Sequence, residues 1–183
     1  MCGRRIELIY GGAASGKSEF AEREALGSAF PLYYLATMRL GTEAGDIRIK
    51  KHEQRRIGKG FITIECPVDI DTAASKVQGG TVLLECLTNL AANEMFRNEA
   101  VPCEATLNEW TEGLFGKLLK DILEVSDKAT ELILVSGDIM RDGERYGKET
   151  EAYIRLMGML NKELSAISET VYEVIYGCPK RIK

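Results

Sequence analysis

The chain has 183 residues, of which 45% are hydrophobic and 28% charged, with a formal net charge of −4. Such a composition suits one globular domain with a proper core, and the acidic balance argues against a general nucleic-acid binder, whose domain is usually basic. No apolar run approaches the ~20 residues of a membrane span. The first strand begins too near the amino end to leave room for a signal peptide. Five cysteines (Cys2, Cys66, Cys86, Cys103 and Cys178) form no C-x-x-C pair. An odd, scattered set without metal spacing reads as reduced thiols in a cytoplasmic protein.

An apolar run at 6–10 leads into Gly11-Gly12-Ala13-Ala14-Ser15-Gly16-Lys17-Ser18, which matches G-x-x-x-x-G-K-[ST]. A helix-forming run follows at 19–27. Strand, glycine loop and helix together are the context a phosphate-binding loop requires. Glycines let successive backbone N–H groups turn inward around phosphate oxygens, and the helix presents its positive dipole end to the same anion. Lys17 then reaches the β- and γ-phosphates, and the Ser18 hydroxyl completes a Mg²⁺ shell. The expectation is an ATP or GTP site.

Residues 30–37 read as a second strand, apolar on both faces as a helix-covered parallel strand should be. Its end, Ala36-Thr37-Met38, opens at the carboxyl edge of the sheet, where open α/β sheets bind ligands. Residues 46–56 form a strongly basic segment around His52, the only histidine. If the segment is helical, Arg48, His52 and Arg55 or Arg56 share one face. One reading is a solvated basic helix in which the histidine has no role. The other is a cluster of cations gathering phosphates around an imidazole whose ordinary pKa of about 6.5 leaves it free to act as nucleophile or base.

A short strand at 61–67 ends in proline, and 69–77 is expected to be helical. The strand at 81–86 ends in Glu85, and that at 131–138 ends in Asp138. An apolar strand closing in an acid is how a Walker B element looks, so Glu85 and Asp138 are both candidates to stand near Mg²⁺. Helices are expected at 87–97, 107–128 and 150–168. The second carries a stripe of Leu107, Trp110, Leu114, Leu118, Ile122 and Val125 at helical spacing, and Trp110 reads as core or interface. A glycine- and charge-rich loop is expected at 140–148. A last strand at 171–176 precedes a turn at 177–179. Alternation of strands and helices implies one α/β domain, residues 1–183, with a mostly parallel sheet covered on both faces.

The order of these motifs closely resembles the adenosylcobinamide kinase / adenosylcobinamide-phosphate guanylyltransferase family of cobalamin synthesis. The likeness rests on the phosphate loop, on Tyr34-Leu35-Ala36-Thr37, on Arg48-Ile49-x-x-His52-x-x-x-Arg56 and on Leu83-Leu84-Glu85-Cys86-Leu87-Thr88-Asn89. It covers essentially the whole chain. The resemblance implies a P-loop, RecA-like fold with an antiparallel C-terminal edge, working as a cytoplasmic homotrimer. It implies two activities as well. A nucleoside triphosphate phosphorylates the hydroxyl of adenosylcobinamide, and GTP then donates GMP to that phosphate through a guanylyl-histidine, for which His52 is the matching residue. Lys17 would be the second catalytic residue. Nucleotide contacts would fall on Gly11 to Ser18, on Ala36, Thr37 and Met38, on Glu53, Gln54, Arg55 and Arg56, and on Glu65 and Glu85. Glu65 and Glu85 would then hydrogen-bond guanine or ribose, an alternative to the metal reading of Glu85.

Where the family usually reads Thr-Asn-Glu-Val-Gly, this chain has Ser136-Gly137-Asp138-Ile139-Met140, although Gly158 and Asn161 keep the family's Gly-x-x-Asn spacing. Two other readings stay open at this point: a P-loop kinase or nucleotidyltransferase acting on another small molecule, and a non-catalytic nucleotide-binding regulator.

Overall fold

The structure is a computed structural model, and it describes residues 5–39, 54, 56–97, 102–139 and 146–183. Seven strands form one sheet in the order β3-β2-β4-β5-β1-β6-β7. They are β1 (Arg5–Gly11), β2 (Leu32–Ala36), β3 (Phe61–Glu65), β4 (Thr81–Glu85), β5 (Glu131–Gly137), β6 (Thr170–Ile175) and β7 (Cys178–Arg181). All neighbouring pairs are parallel except β6 with β7, which are antiparallel. The mostly parallel sheet and the antiparallel C-terminal edge are therefore as the sequence led us to expect.

Position in the sheet explains the strand compositions. Central β4 and β5 are covered on both faces, so Val82-Leu83-Leu84 and Leu132-Ile133-Leu134-Val135 are unbroken apolar runs. Edge strand β3 exposes Ile62 and Thr63, and edge strand β7 is exposed throughout and carries Pro179, which only an edge tolerates.

Among the described residues, four α-helices with full bounds cover the sheet: α1 (Lys17–Leu26), α2 (Leu87–Met95), α3 (Glu104–Lys128) and α4 (Lys148–Ile167). Phe20, Ala21 and Ala25 of α1 pack on Ile9, Tyr34, Leu83 and Ile133 on one face. The other face carries the larger core, where Leu87 and Leu90 of α2, Leu118 and Ile122 of α3 and Leu156 and Leu160 of α4 meet Leu8, Leu84 and Leu134. The expected stripe on α3 is this buried face, with Trp110 half-buried against it.

Residues 69–77, expected as a helix, form a 3₁₀ helix at Ile70–Lys76. Asp69 before it adopts a left-handed φ of 48°, and its carboxylate is held by Lys117 at 3.0 Å and Arg97 at 2.6 Å. Those cations keep the Asp69 carboxyl below its ordinary range. Lys117 also reaches Glu94 and Asp121, both at 2.7 Å, so the 3₁₀ helix, α2 and α3 are bound by one ionic network. The basic segment around His52 and the loop expected at 140–148 lie almost wholly outside the described residues.

One buried acid works against the fold. Glu7 on β1 is only 2% exposed, and its Oε1 has no hydrogen-bond partner among the described residues. Burial, reinforced by the charges of Glu24 and Glu131 and opposed by Arg5 and Arg181, raises its pKa from 4.5 to about 7. The folded chain thus holds a proton that the unfolded chain releases above 4.5, so stability falls as pH rises from 4.5 to about 7. At about 1.4 kcal/mol per pH unit, the loss is on the order of 3 kcal/mol. Glu7→Gln should therefore be more stable than the parent in urea titrations at pH 8, and the advantage should vanish near pH 4.5. An equal difference at both pH values would contradict this account.

Candidate functional site

Because the strands run in one direction, their carboxyl ends meet along one edge. In register across it, Gly11 of β1 stands beside Gly137 of β5, and Ala36 of β2 lies between Glu65 of β3 and Glu85 of β4. With strands about 4.8 Å apart, this edge places the phosphate loop on one side and the ends of β2, β3 and β4 on the other.

The loop is shaped as the motif requires. It leaves β1 at Gly11 and enters α1 through Gly16, whose φ of 89° suits glycine. A Cβ at Gly11 would lie 2.6 Å from the Val174 carbonyl oxygen and 2.8 Å from Ser15 Oγ, so that position admits no side chain without movement. The Ser15 hydroxyl is buried inside the turn and finds no partner among the described residues. A phosphate oxygen would supply the missing partner, and the glycine cradle fits one. Lys17 Nζ donates to the Gly12 carbonyl at 2.9 Å, folded back over its own loop where it can be transferred to an anion. The Asp138 amide donates to the Gly11 carbonyl at 3.0 Å, which ties the end of β5 to the loop.

Of the two acids, Asp138 is attached to the loop directly, whereas Glu85 ends the strand one place further out. Among the described residues no group of three or more His, Cys, Asp or Glu side chains could hold a metal by itself. The donors present do fit Mg²⁺, which takes one or two protein oxygens and completes its shell with phosphate oxygens and water. Ser18, half-buried in the first turn of α1, could supply one such oxygen, and Asp138 or Glu85 the other.

The second half of the edge is built on Tyr34, Glu85 and Arg56. Tyr34 OH donates to Glu85 Oε2 at 3.0 Å. The Arg56 guanidinium lies over the Tyr34 ring with its carbon 3.5 Å from the centroid, a close cation–π contact. Arg56 is only 8% exposed, and its Nε and Nη1 have no hydrogen-bond partner among the described residues. A buried guanidinium with unused donors is a strong attractor for phosphate. Burial and the Glu85 charge push the Tyr34 phenol far above its ordinary pKa, with Arg56 opposing, so the phenol stays protonated as a donor. Lys59 Nζ, three residues on from Arg56, is anchored to Glu22 of α1 at 3.0 Å.

Hydrogen bonds lock these strand ends together. Thr37 Oγ1 donates to the Cys86 carbonyl and accepts from the Cys86 amide, each at 2.8 Å, while the Thr37 amide donates to the Glu85 carbonyl. Asn93 of α2 donates through Nδ2 to the carbonyls of Thr37 at 2.7 Å and Pro67 at 3.0 Å. The ends of β2, β3 and β4 thus form one rigid platform beside the loop. Burial raises the Cys86 thiol, which keeps it protonated there. On β5, between the loop and this platform, the Ser136 hydroxyl donates to Asn161 Oδ1 at 2.6 Å, joining β5 to α4.

Most of the residues singled out from the sequence therefore lie along this edge. Gly11 to Ser18, Ala36, Thr37, Met38, Arg56, Glu65, Glu85 and Asp138 all do, with Glu65 exposed at the end of β3. Gln54 is exposed, and Arg48, His52, Glu53 and Arg55 lie outside the described residues. Tyr34, Asn93 and the Tyr176-Gly177 turn against the loop were given no site role. Tyr34 belongs to the Tyr34-Leu35-Ala36-Thr37 stretch that carries the resemblance, without a role assigned to it, while Asn93 carries no motif at all.

A family model described as cobinamide kinase / cobinamide phosphate guanyltransferase matches residues 7–182. The bifunctional adenosylcobalamin biosynthesis protein CobP of Pseudomonas aeruginosa is 29% identical over 179 residues, covering 97% of this chain and 96% of that protein. The bifunctional adenosylcobalamin biosynthesis protein CobU of Escherichia coli K12 is 25% identical over 180 residues, covering 96% and 98% respectively.

The crowding at Gly11 makes a direct prediction. Gly11→Ala must push Val174 or Ser15 aside, at a cost of about 1–3 kcal/mol. It should also weaken binding of Mg·ATP, followed by titration calorimetry, at least tenfold. Binding as tight as the parent's would show that the loop does not hold the phosphates.

Proposed function

The chain belongs to the cobinamide kinase / cobinamide phosphate guanyltransferase family, and from that premise we propose that it carries out both reactions in sequence, as one P-loop nucleotide-binding domain. In the first, the hydroxyl oxygen of adenosylcobinamide attacks the γ-phosphorus of ATP or GTP, and the bond to the β-phosphate oxygen breaks to release the diphosphate. In the second, a His52 ring nitrogen attacks the α-phosphorus of GTP and pyrophosphate leaves. An oxygen of adenosylcobinamide phosphate then attacks the guanylyl phosphorus, the N–P bond breaks, and adenosylcobinamide-GDP is formed with His52 regenerated.

The observation that carries this reading is the family match from residue 7 to residue 182. The site geometry supports it. Phosphoryl transfer depends mainly on positioning and charge stabilisation, and the loop offers backbone N–H groups, Lys17 and the unpartnered Ser15 hydroxyl to the phosphates. Ser18 and Asp138 or Glu85 would hold Mg²⁺, which would supply charge neutralisation for the transferring phosphate. Attack at the α-phosphorus also requires offset charge, and the unused donors of Arg56, four residues after His52 in the chain, are suited to it. Glu65 and Glu85, on either side of Ala36, suit the N–H edge of guanine or ribose hydroxyls. Asp138 is tied to the loop through its amide, whereas Glu85 stands one strand further out and accepts from Tyr34, which favours Asp138 for the metal and leaves Glu85 to the nucleoside.

The working form we propose is a cytoplasmic homotrimer. Cys66, Cys86, Cys103 and Cys178 are free thiols, in keeping with a reducing compartment, and no described helix is long and apolar enough to cross a membrane.

Product analysis separates the two steps. Given adenosylcobinamide and Mg·GTP, the parent should form adenosylcobinamide-GDP, resolved by chromatography with mass detection. His52→Ala should accumulate adenosylcobinamide phosphate instead, and Lys17→Ala should lower phosphorylation by a factor of a hundred or more. Formation of adenosylcobinamide-GDP by His52→Ala at the parental rate would remove histidine from the second step. If the parent handles nucleotide but never phosphorylates adenosylcobinamide, the acceptor is another small molecule.

A further inference from the structure

Tyr34 is the one side chain that touches both of the groups set aside above for guanylyl transfer, Glu85 and Arg56. Side chains along a strand alternate between faces, so Tyr34 and Ala36 of β2 share a face with their register partners Leu83 and Glu85 of β4. It is the face that α1 covers, since Tyr34 and Leu83 pack in one cluster with Phe20 and Ala21. Tyr34 and Glu85 are diagonal neighbours on it, a separation that an aromatic side chain spans, and the phenol closes on the carboxylate at 3.0 Å.

Packing alone does not require that hydroxyl. Tyr34 is 4% exposed, and phenylalanine would fill the same place and meet Phe61 edge-on just as the tyrosine does. A buried hydroxyl is unfavourable unless it is paired, and here its partner is the Glu85 carboxylate. Of the two acids that flank Ala36, Glu65 is exposed and Glu85 is buried. The hydroxyl thus sets the direction of the enclosed one.

The ring has a separate task. Its face carries the Arg56 guanidinium, 3.5 Å from carbon to centroid, and such a contact uses none of the N–H donors. A carboxylate in place of the ring would have taken them. Stacking instead leaves Nε and Nη1 without a partner among the described residues, inside a buried side chain. Lys59 fastens the chain just beyond Arg56 to Glu22 of α1 at 3.0 Å, so the backbone there has an anchor independent of Tyr34.

We propose that Tyr34 is a positioning residue of guanylyl transfer: its hydroxyl aims the Glu85 carboxylate at the nucleoside, and its ring seats the Arg56 guanidinium for the α-phosphate. The proposal rests on the reading of Glu85 as a nucleoside ligand and of Arg56 as an α-phosphate ligand. The two tasks separate experimentally, because the hydroxyl governs affinity for the nucleoside and the ring governs the rate of transfer.

Titration calorimetry of the whole chain with Mg²⁺ tests the hydroxyl with two probes. One is the α,β-methylene analogue of GTP, which His52 does not cleave, and the other is inorganic tripolyphosphate, which has no nucleoside. Tyr34→Phe should weaken the analogue about tenfold, the effect of losing a hydrogen bond to a charged group, and leave tripolyphosphate within about twofold. In a Glu85→Ala background Tyr34→Phe should cause no further loss, because the hydroxyl acts through that carboxylate. Initial rates of protein labelling by α-³²P-GTP test the ring. Tyr34→Phe should raise the half-saturating GTP concentration about tenfold and leave the maximal rate within about twofold, while Tyr34→Leu should also lower the maximal rate about tenfold. Parental affinity for the analogue in Tyr34→Phe overturns the proposal. So does an undiminished loss in the Glu85→Ala background, or equal weakening of both probes, which would mean a general distortion of the edge. A maximal rate in Tyr34→Leu equal to that of Tyr34→Phe overturns the task given to the ring. An unaltered chain that binds the analogue but takes up no label is failure of the guanylyl-transfer reading itself, and the positioning role falls with it.

Discussion

Six strands running in one direction deliver their carboxyl ends to one edge, and the site depends on that shared direction. Parallel pairing fixes which residues stand side by side there. Gly137 stands beside Gly11, where a Cβ would come within 2.9 Å of the Thr88 side chain, and Ala36 between Glu65 and Glu85 gives a small residue flanked by two carboxylates. A strand reversed or slipped by one residue would turn each of these side chains to the wrong face. The apolar interior of β4 and β5 maintains the register, because slippage would break two packed cores at once.

Along this edge the chemistry divides in two. The loop side is made of backbone N–H groups, glycines and one lysine folded over them, a construction suited to a triphosphate without reading the base. The β2–β4 side is made of side chains held in place by one another. Tyr34 is fixed between Glu85 and Arg56, and Thr37 and Asn93 tie the underlying carbonyls. A phenol kept protonated by burial and a guanidinium whose Nε and Nη1 find no partner among the described residues form a preorganised polar surface, the kind that stabilises charge without rearranging when it develops.

Much of this was legible in the sequence because its signals are local. Gly11 to Ser18 announce a loop whose geometry is dictated by backbone, and unbroken apolar runs such as Val82 to Leu84 announce strands covered on both faces. The acids Glu85 and Asp138 were found by their place at strand ends. What escaped depends on distant pairings. Tyr34 meets Glu85 across 51 positions and Asn93 meets Thr37 across 56, and neither residue type carries a local mark of its partner. The 3₁₀ helix at Ile70–Lys76 is entered through Asp69, clamped by Lys117 and Arg97, again contacts set by the fold. The loss of the family's usual residues after Val135 looked like a break, yet Ser136 and the retained Asn161 meet directly.

The account turns on a guanylyl group held covalently by the chain between its two reactions. Incubating the chain with Mg²⁺ and GTP carrying ³²P at the α-position, with no acceptor present, measures this directly. The protein should take up acid-labile, base-stable label with release of pyrophosphate, and His52→Ala should take up none. Parent protein that remains unlabelled while still binding GTP would contradict it.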